Sequence, residues 1–90
     1  MSVINISNPN QVYHDGQMIS TVTDDLRQQK TSVDQVHSNL QPSWTGTDAY
    51  RYLEDLKNVS AYLNATIALL DNYGIIIRNS MSRYSNISES

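Results

Sequence analysis

Cysteine and phenylalanine are absent from this 90-residue chain, and it holds only two prolines and three glycines. The missing thiols remove disulfide frameworks, cysteine nucleophiles and cysteine-based metal sites together. They leave the compartment open, because a helical protein needs no disulfide to enter an oxidising space. Positive charge is also scarce: six Lys and Arg stand against nine Asp and Glu, a formal net charge of -3. So thin a basic complement excludes the footprint that nucleic-acid backbones attract. No run reaches the roughly 18 to 20 apolar residues of a membrane span, since Asp71, Asn72 and Gly74 interrupt the stretch from Ile67 to Ile77. The opening Met1-Ser2-Val3-Ile4-Asn5 has neither a basic segment nor an apolar core, so no cleavable signal peptide is expected. A chain of this length makes at most one small domain and leaves no room for a multidomain enzyme.

What remains is periodic. Residues 1–8 read as an extended lead-in, with Asn8 as helix cap and Pro9 at the first helical position, where its missing N–H costs nothing. Apolar residues then fall at Val12, Ile19, Val22, Leu26, Val33, Val36 and Leu40. These fit a heptad seam with Val12, Ile19, Leu26, Val33 and Leu40 in one row and Val22 and Val36 in the other, completed by the polar Asp15 and Gln29. A first helix over 9–41 is expected, with Gln29 fixing register. Pro42 stops the pattern, and 42–47, with Trp44-Thr45-Gly46, reads as a tight connection that favours an antiparallel neighbour. Thr47 or Asp48 is expected to cap a second helix over 48–84, followed by a tail over 85–90. The second seam runs Ala49, Tyr52, Leu56, Val59, Leu63, Thr66, Leu70, Tyr73, Ile77, Ser80 and Tyr84. Gly74 within it points to close backbone approach or a bend.

The second helix is apolar beyond that seam, with Leu53, Ile67 and Met81 on one flank and Tyr62, Leu69 and Ile76 on the other. A lone pair of helices would leave these six side chains wet. At roughly 1.5 to 3 kcal/mol for each large side chain buried, about 9 to 18 kcal/mol is forgone, which is comparable with the net stability of a domain. The expected fold is therefore all-α: an antiparallel helix-turn-helix hairpin with a W-x-G turn, pairing into a four-helix bundle dimer through Leu53, Tyr62, Leu63, Ile67, Leu69, Leu70 and Ile76.

Chemistry-bearing residues are few. His14 and His37 lie more than six helical turns apart and cannot share a metal. No serine has a helical histidine neighbour with an orienting carboxylate, and no glycine-rich loop follows a strand. Glu54 and Asp55 are adjacent and point to different parts of the helix surface. The sequons at Asn58, Asn64 and Asn86 fall in helical or tail sequence and read as compositional. No catalytic residue, metal site or cofactor is expected. Trp44, the single tryptophan, reads as a plug over the end of the helix pair that can also serve as a partner's landing point.

Taken together, Trp44-Thr45-Gly46 at mid-chain between two heptad helices, and the lead-in Ile4-Asn5-Ile6-Ser7-Asn8-Pro9, make the chain resemble the WXG100 (ESAT-6-like) family of small proteins exported by bacterial type VII secretion systems. The resemblance covers nearly the whole chain. It implies a non-enzymatic, secreted or surface protein made in the cytoplasm. As partner it implies a second copy, a related hairpin protein or the N-terminal region of a larger effector, with the type VII export ATPase as reader of an export signal. Members commonly carry a C-terminal tyrosine followed four residues later by an acidic residue. Here Tyr84 is followed by Ser88 at that spacing and by Glu89 one residue later, so the resemblance gives the signal either to Tyr84 with Glu89 or to the partner chain. The alternative from another class is a polymerising helical-hairpin subunit of a secretion needle, which would form open head-to-tail filaments instead of a closed pair.

Overall fold

The computed structural model describes residues 6–89, and side chains as far as Tyr84. It is a helical hairpin, α1 over Pro9–Leu40 and α2 over Thr47–Glu89, with no strand among the described residues. The Asn8 side chain accepts from the Gln11 N–H at 3.2 Å with Pro9 in the first turn, so α1 starts where a cap and a proline favour it. Pro42 lacks the N–H that would continue the ladder. The chain instead closes back on α1, with the Ser43 and Trp44 N–H groups donating to the Leu40 carbonyl at 3.0 and 2.9 Å. Gly46 carries the reversal with φ +113. Its carbonyl accepts from the Tyr50 N–H at 2.9 Å, and the cap position of α2 falls on Gly46, one residue before the expected Thr47 or Asp48.

That φ lies where an L side chain is strained, although a Cβ on Gly46 would meet nothing within 4 Å. Gly46→Ala is therefore expected to cost about 1 to 3 kcal/mol from the backbone alone. Urea unfolding at fixed protein concentration will show it as a lower midpoint with unchanged helix content.

The molecule is a rod of 66 × 23 × 15 Å, its long dimension set by the 43 residues of α2 at about 1.5 Å each. The helices run antiparallel, with Gly16 level with Ile77 and Asp34 with Ser60, while the long Arg27 side chain reaches about a turn along α2 to Asp71. The first two turns of α2 lie past the end of α1, level with the connection, and Ala49 there is only 1% exposed.

Burial follows a strict heptad along both helices, but one of its two rows differs from the expected one. On α1 the row Val12, Ile19, Leu26, Val33 and Leu40 turns inward as expected, yet its companion is Gly16, Thr23, Lys30 and His37. Val22 and Val36 are exposed. On α2 the inward rows are Ala49, Leu56, Leu63, Leu70, Ile77 and Tyr84 together with Leu53, Ser60, Ile67, Gly74 and Met81; of the expected row, Tyr52, Val59 and Tyr73 are exposed and the small Thr66 and Ser80 half-buried. Each helix is thus rolled by one row. The physical reason lies in the side chains exchanged. The expected seam would have buried the phenols of Tyr52 and Tyr73 and the carboxylate of Asp15, each needing a polar partner. The observed seam buries Ile67 and half-buries Leu53 and Met81 instead.

One further expectation is corrected. Nothing lies within 4 Å of a Cβ built on Gly74, so close intrachain approach does not account for it, and α2 continues through it. The close approach is at Gly16, where a Cβ would sit 3.0 Å from the Ile77 Cγ2. The core is thin: among the described residues only Ala49 and Ile67 are buried apolar side chains, and no large side chain is fully buried.

Candidate partner-binding surface

Rolling both helices by one row sorts the remaining side chains into two unlike sides. In an antiparallel pair that uses equivalent rows for its seam, the row flanking the seam on α1 and its counterpart on α2 emerge on the same side of the hairpin. On one side these are Met18, Val22 and Val36 from α1 and Tyr52, Val59, Tyr62, Leu69, Tyr73 and Ile76 from α2, all exposed. They make up nine of the thirteen large apolar side chains exposed among the described residues. Single exposed apolar residues need no explanation, but so many of them along one side make that side the candidate interaction surface.

The opposite side is more polar, with Tyr13, Tyr50 and Ile75 as its exposed large apolar side chains among the described residues. Arg27 pairs with Asp71 across the helices and with Asp24 at 3.7 Å along α1, and Lys57 lies 3.8 Å from Glu54. Exposed pairs of this kind contribute little to stability. The Arg27–Asp71 pair, with the Ser60–Asp34 hydrogen bond, ties the two helices together across this side.

Lys30 and the Ser60 hydroxyl both donate to the Asp34 carboxylate, and these bonds hold its pKa below the ordinary carboxylate value. A carboxylate lowered in the folded state adds stability above its unfolded pKa, near ~3.9, and that stability is lost as pH falls through the folded value. Asp34→Asn should therefore melt below the parent chain at neutral pH, with the gap closing below about pH 4. Melting curves at a series of pH values check this.

The sequence-derived partner residues divide between the two environments. Tyr62, Leu69 and Ile76 lie on the apolar side, Tyr62 being 72% exposed. Leu53, Leu63, Ile67 and Leu70 face α1, with Ile67 only 8% exposed, so the row expected to stay wet is part of the hairpin's own seam. Missing from the expected surface were Met18, Val22, Val36, Tyr52, Val59 and Tyr73.

Trp44 lies in the connection, 39% exposed, with its ring centroid 5.5 Å from that of Tyr52 at a tilt of 54°. Because Tyr52 belongs to the apolar side, this pair carries that surface to the turn end of the rod. Tyr84 is half-buried in the inward row of α2, and the side chain of Glu89 lies outside the described residues. His14 is exposed and His37 half-buried, and no cluster of metal-ligating side chains occurs among the described residues. Neither helix is long and apolar enough to cross a membrane. No family model matches the chain, and neither does any curated protein or solved structure.

Proposed function

We propose that this chain is a non-enzymatic pairing protein of a bacterial type VII secretion system, exported as one half of a four-helix bundle, with Trp44-Thr45-Gly46 as the turn of each hairpin. The observation that carries the reading is the strip of nine exposed apolar side chains along one side of a hairpin whose own core is thin. A second hairpin laid on that strip buries it and supplies the core that α1 and α2 lack.

Charge on the same side favours a second copy laid antiparallel, turn end against open end. Asp48 and Asp55 lie near the turn end and Arg83 near the open end, all on the flanking rows. Turn against open end sets Arg83, with Asp15 beside it, opposite the aspartates, whereas turn against turn crowds four carboxylates together. Closed pairing of this kind also accounts for the apolar strip without the endless head-to-tail contact of a needle subunit.

The secretion part of the proposal rests on the resemblance and on Trp44 and Gly46 within the connection. Its test is export from the bacterium that encodes the chain, with and without the type VII export ATPase. Loss of the extracellular chain in the deletion strain is the expected result, and undiminished export overturns the assignment. In the same assay Tyr84→Ala and Glu89→Ala separate a signal carried by this chain from one carried by its partner.

A further inference from the structure

The polar side of the hairpin carries a groove of about 560 Å³ between α1 and α2, toward the open end of the rod. Leu70, Ile77 and Met81 give it apolar walls, and the Arg27–Asp71 pair spans the helices at its end nearer the turn. Gly74 lies in the same surface. Glycine inside a helix is less stable than alanine, and at Gly74 neither a positive φ nor a crowded neighbour requires it. Its missing side chain leaves that stretch of the groove open.

Two arginines and two aspartates line the groove, and they pair unevenly. Arg27 is engaged by Asp71 and Asp24, whereas Arg78 makes no ion pair among the described residues. The groove therefore offers an apolar wall with one uncompensated guanidinium beside it. We propose that it binds an amphiphilic carboxylate, with the anionic head on Arg78 and the apolar chain along Ile77, Gly74 and Leu70. A guanidinium fork matches a carboxylate bidentately. From Arg78 to Leu70 the helix rises about 12 Å, room for a medium-length alkyl chain lying along the axis, and the volume is within the roughly 300 to 1,000 Å³ typical of small-molecule sites. Asp24 and Asp71 disfavour a polyanion, and a neutral amphiphile leaves Arg78 unused. This site lies across the rod from the apolar strip and does not depend on the pairing reading.

Calorimetric titration of the full chain with sodium decanoate tests it, with decanol and decyltrimethylammonium as neutral and cationic counterparts. One decanoate per chain is expected, bound at least tenfold more tightly than either counterpart. Gly74→Leu fills the groove with a good helix former and should weaken decanoate at least tenfold, while Arg78→Gln should erase the preference for decanoate over decanol. Circular dichroism and sedimentation of each variant separate these losses from loss of fold or of pairing. No decanoate binding, equal affinity for the three amphiphiles, or binding that survives Gly74→Leu overturns the proposal. In the last case Leu69→Asp, on the other side of the rod, should be the change that weakens binding.

Discussion

Leu69→Asp will abolish the concentration dependence of this chain's melting temperature and reduce its mass in solution from two chains to one. Leu69 stands at the middle of the apolar strip, exposed in the single hairpin, so its removal deletes nothing from the hairpin's own seam. In a symmetric pair the same side chain is lost twice. Leu69 is 52% exposed in the hairpin, so pairing buries about half of each side chain. At roughly 1.5 to 3 kcal/mol for a leucine buried whole, about 1.5 to 3 kcal/mol disappears from the pairing free energy over the two copies, or one to two orders of magnitude in the dissociation constant. The aspartates add a desolvation cost in the same direction.

Because an unpaired hairpin with no fully buried large side chain is marginal, helix content at micromolar concentration should fall with pairing. Asn64→Asp is the matching control, introducing the same charge on the polar side. Sedimentation and circular dichroism across a hundredfold dilution distinguish the two. A parent chain that stays monomeric and melts cooperatively at one temperature throughout that dilution would sink the pairing reading, and a two-chain mass retained by Leu69→Asp would move the interface elsewhere.

The hairpin was legible in the sequence because its signals are local. Asn8 with Pro9 marks the start of α1, Pro42 its end, and steps of three and four carry the period through both helices. The rotation of each helix about its axis was not legible from apolar spacing alone. On α2 the rows through Tyr52 and through Leu53 are similarly apolar, and on α1 the choice lies between Val22 with Val36 and Gly16 with Thr23. Hydrophobic counting favours the valines, while packing and polar satisfaction favour the small residues.

The deciding signal was present in the chain at long range. Arg27 can meet Asp71, and Asp34 can meet Ser60, only if the seam includes the rows beside them. An antiparallel alignment of the two helices by charge would have found it. The same ambiguity divided the partner surface, since a row misplaced by one position exchanges seam and exterior. That is why Ile67 and Leu69, two residues apart, have different roles, whereas both belong to the apolar excess when α2 is considered without α1.

Ile67→Ala tests that division from the other side. Ile67 is the most buried large apolar side chain of the described residues, held in the seam between α2 and α1. Truncating it should cost about 2 to 5 kcal/mol, transfer and cavity terms together, and the loss is internal to each hairpin. Urea unfolding at several protein concentrations separates this from the effect of Leu69→Asp. A variant that still pairs keeps the parent's dependence on concentration, so the Ile67→Ala midpoint should lie below the parent's by a nearly constant gap. A variant that cannot pair has no such dependence, so the gap for Leu69→Asp should widen as concentration rises. Val59→Ala should resemble a milder Leu69→Asp, with its loss in association. Were the expected row of Tyr52, Val59 and Tyr73 the true seam, Val59→Ala would show the constant gap and Ile67→Ala the widening one. Exchange of those two signatures would return each helix to the rotation that apolar spacing alone favours and place the partner on the opposite side of the rod.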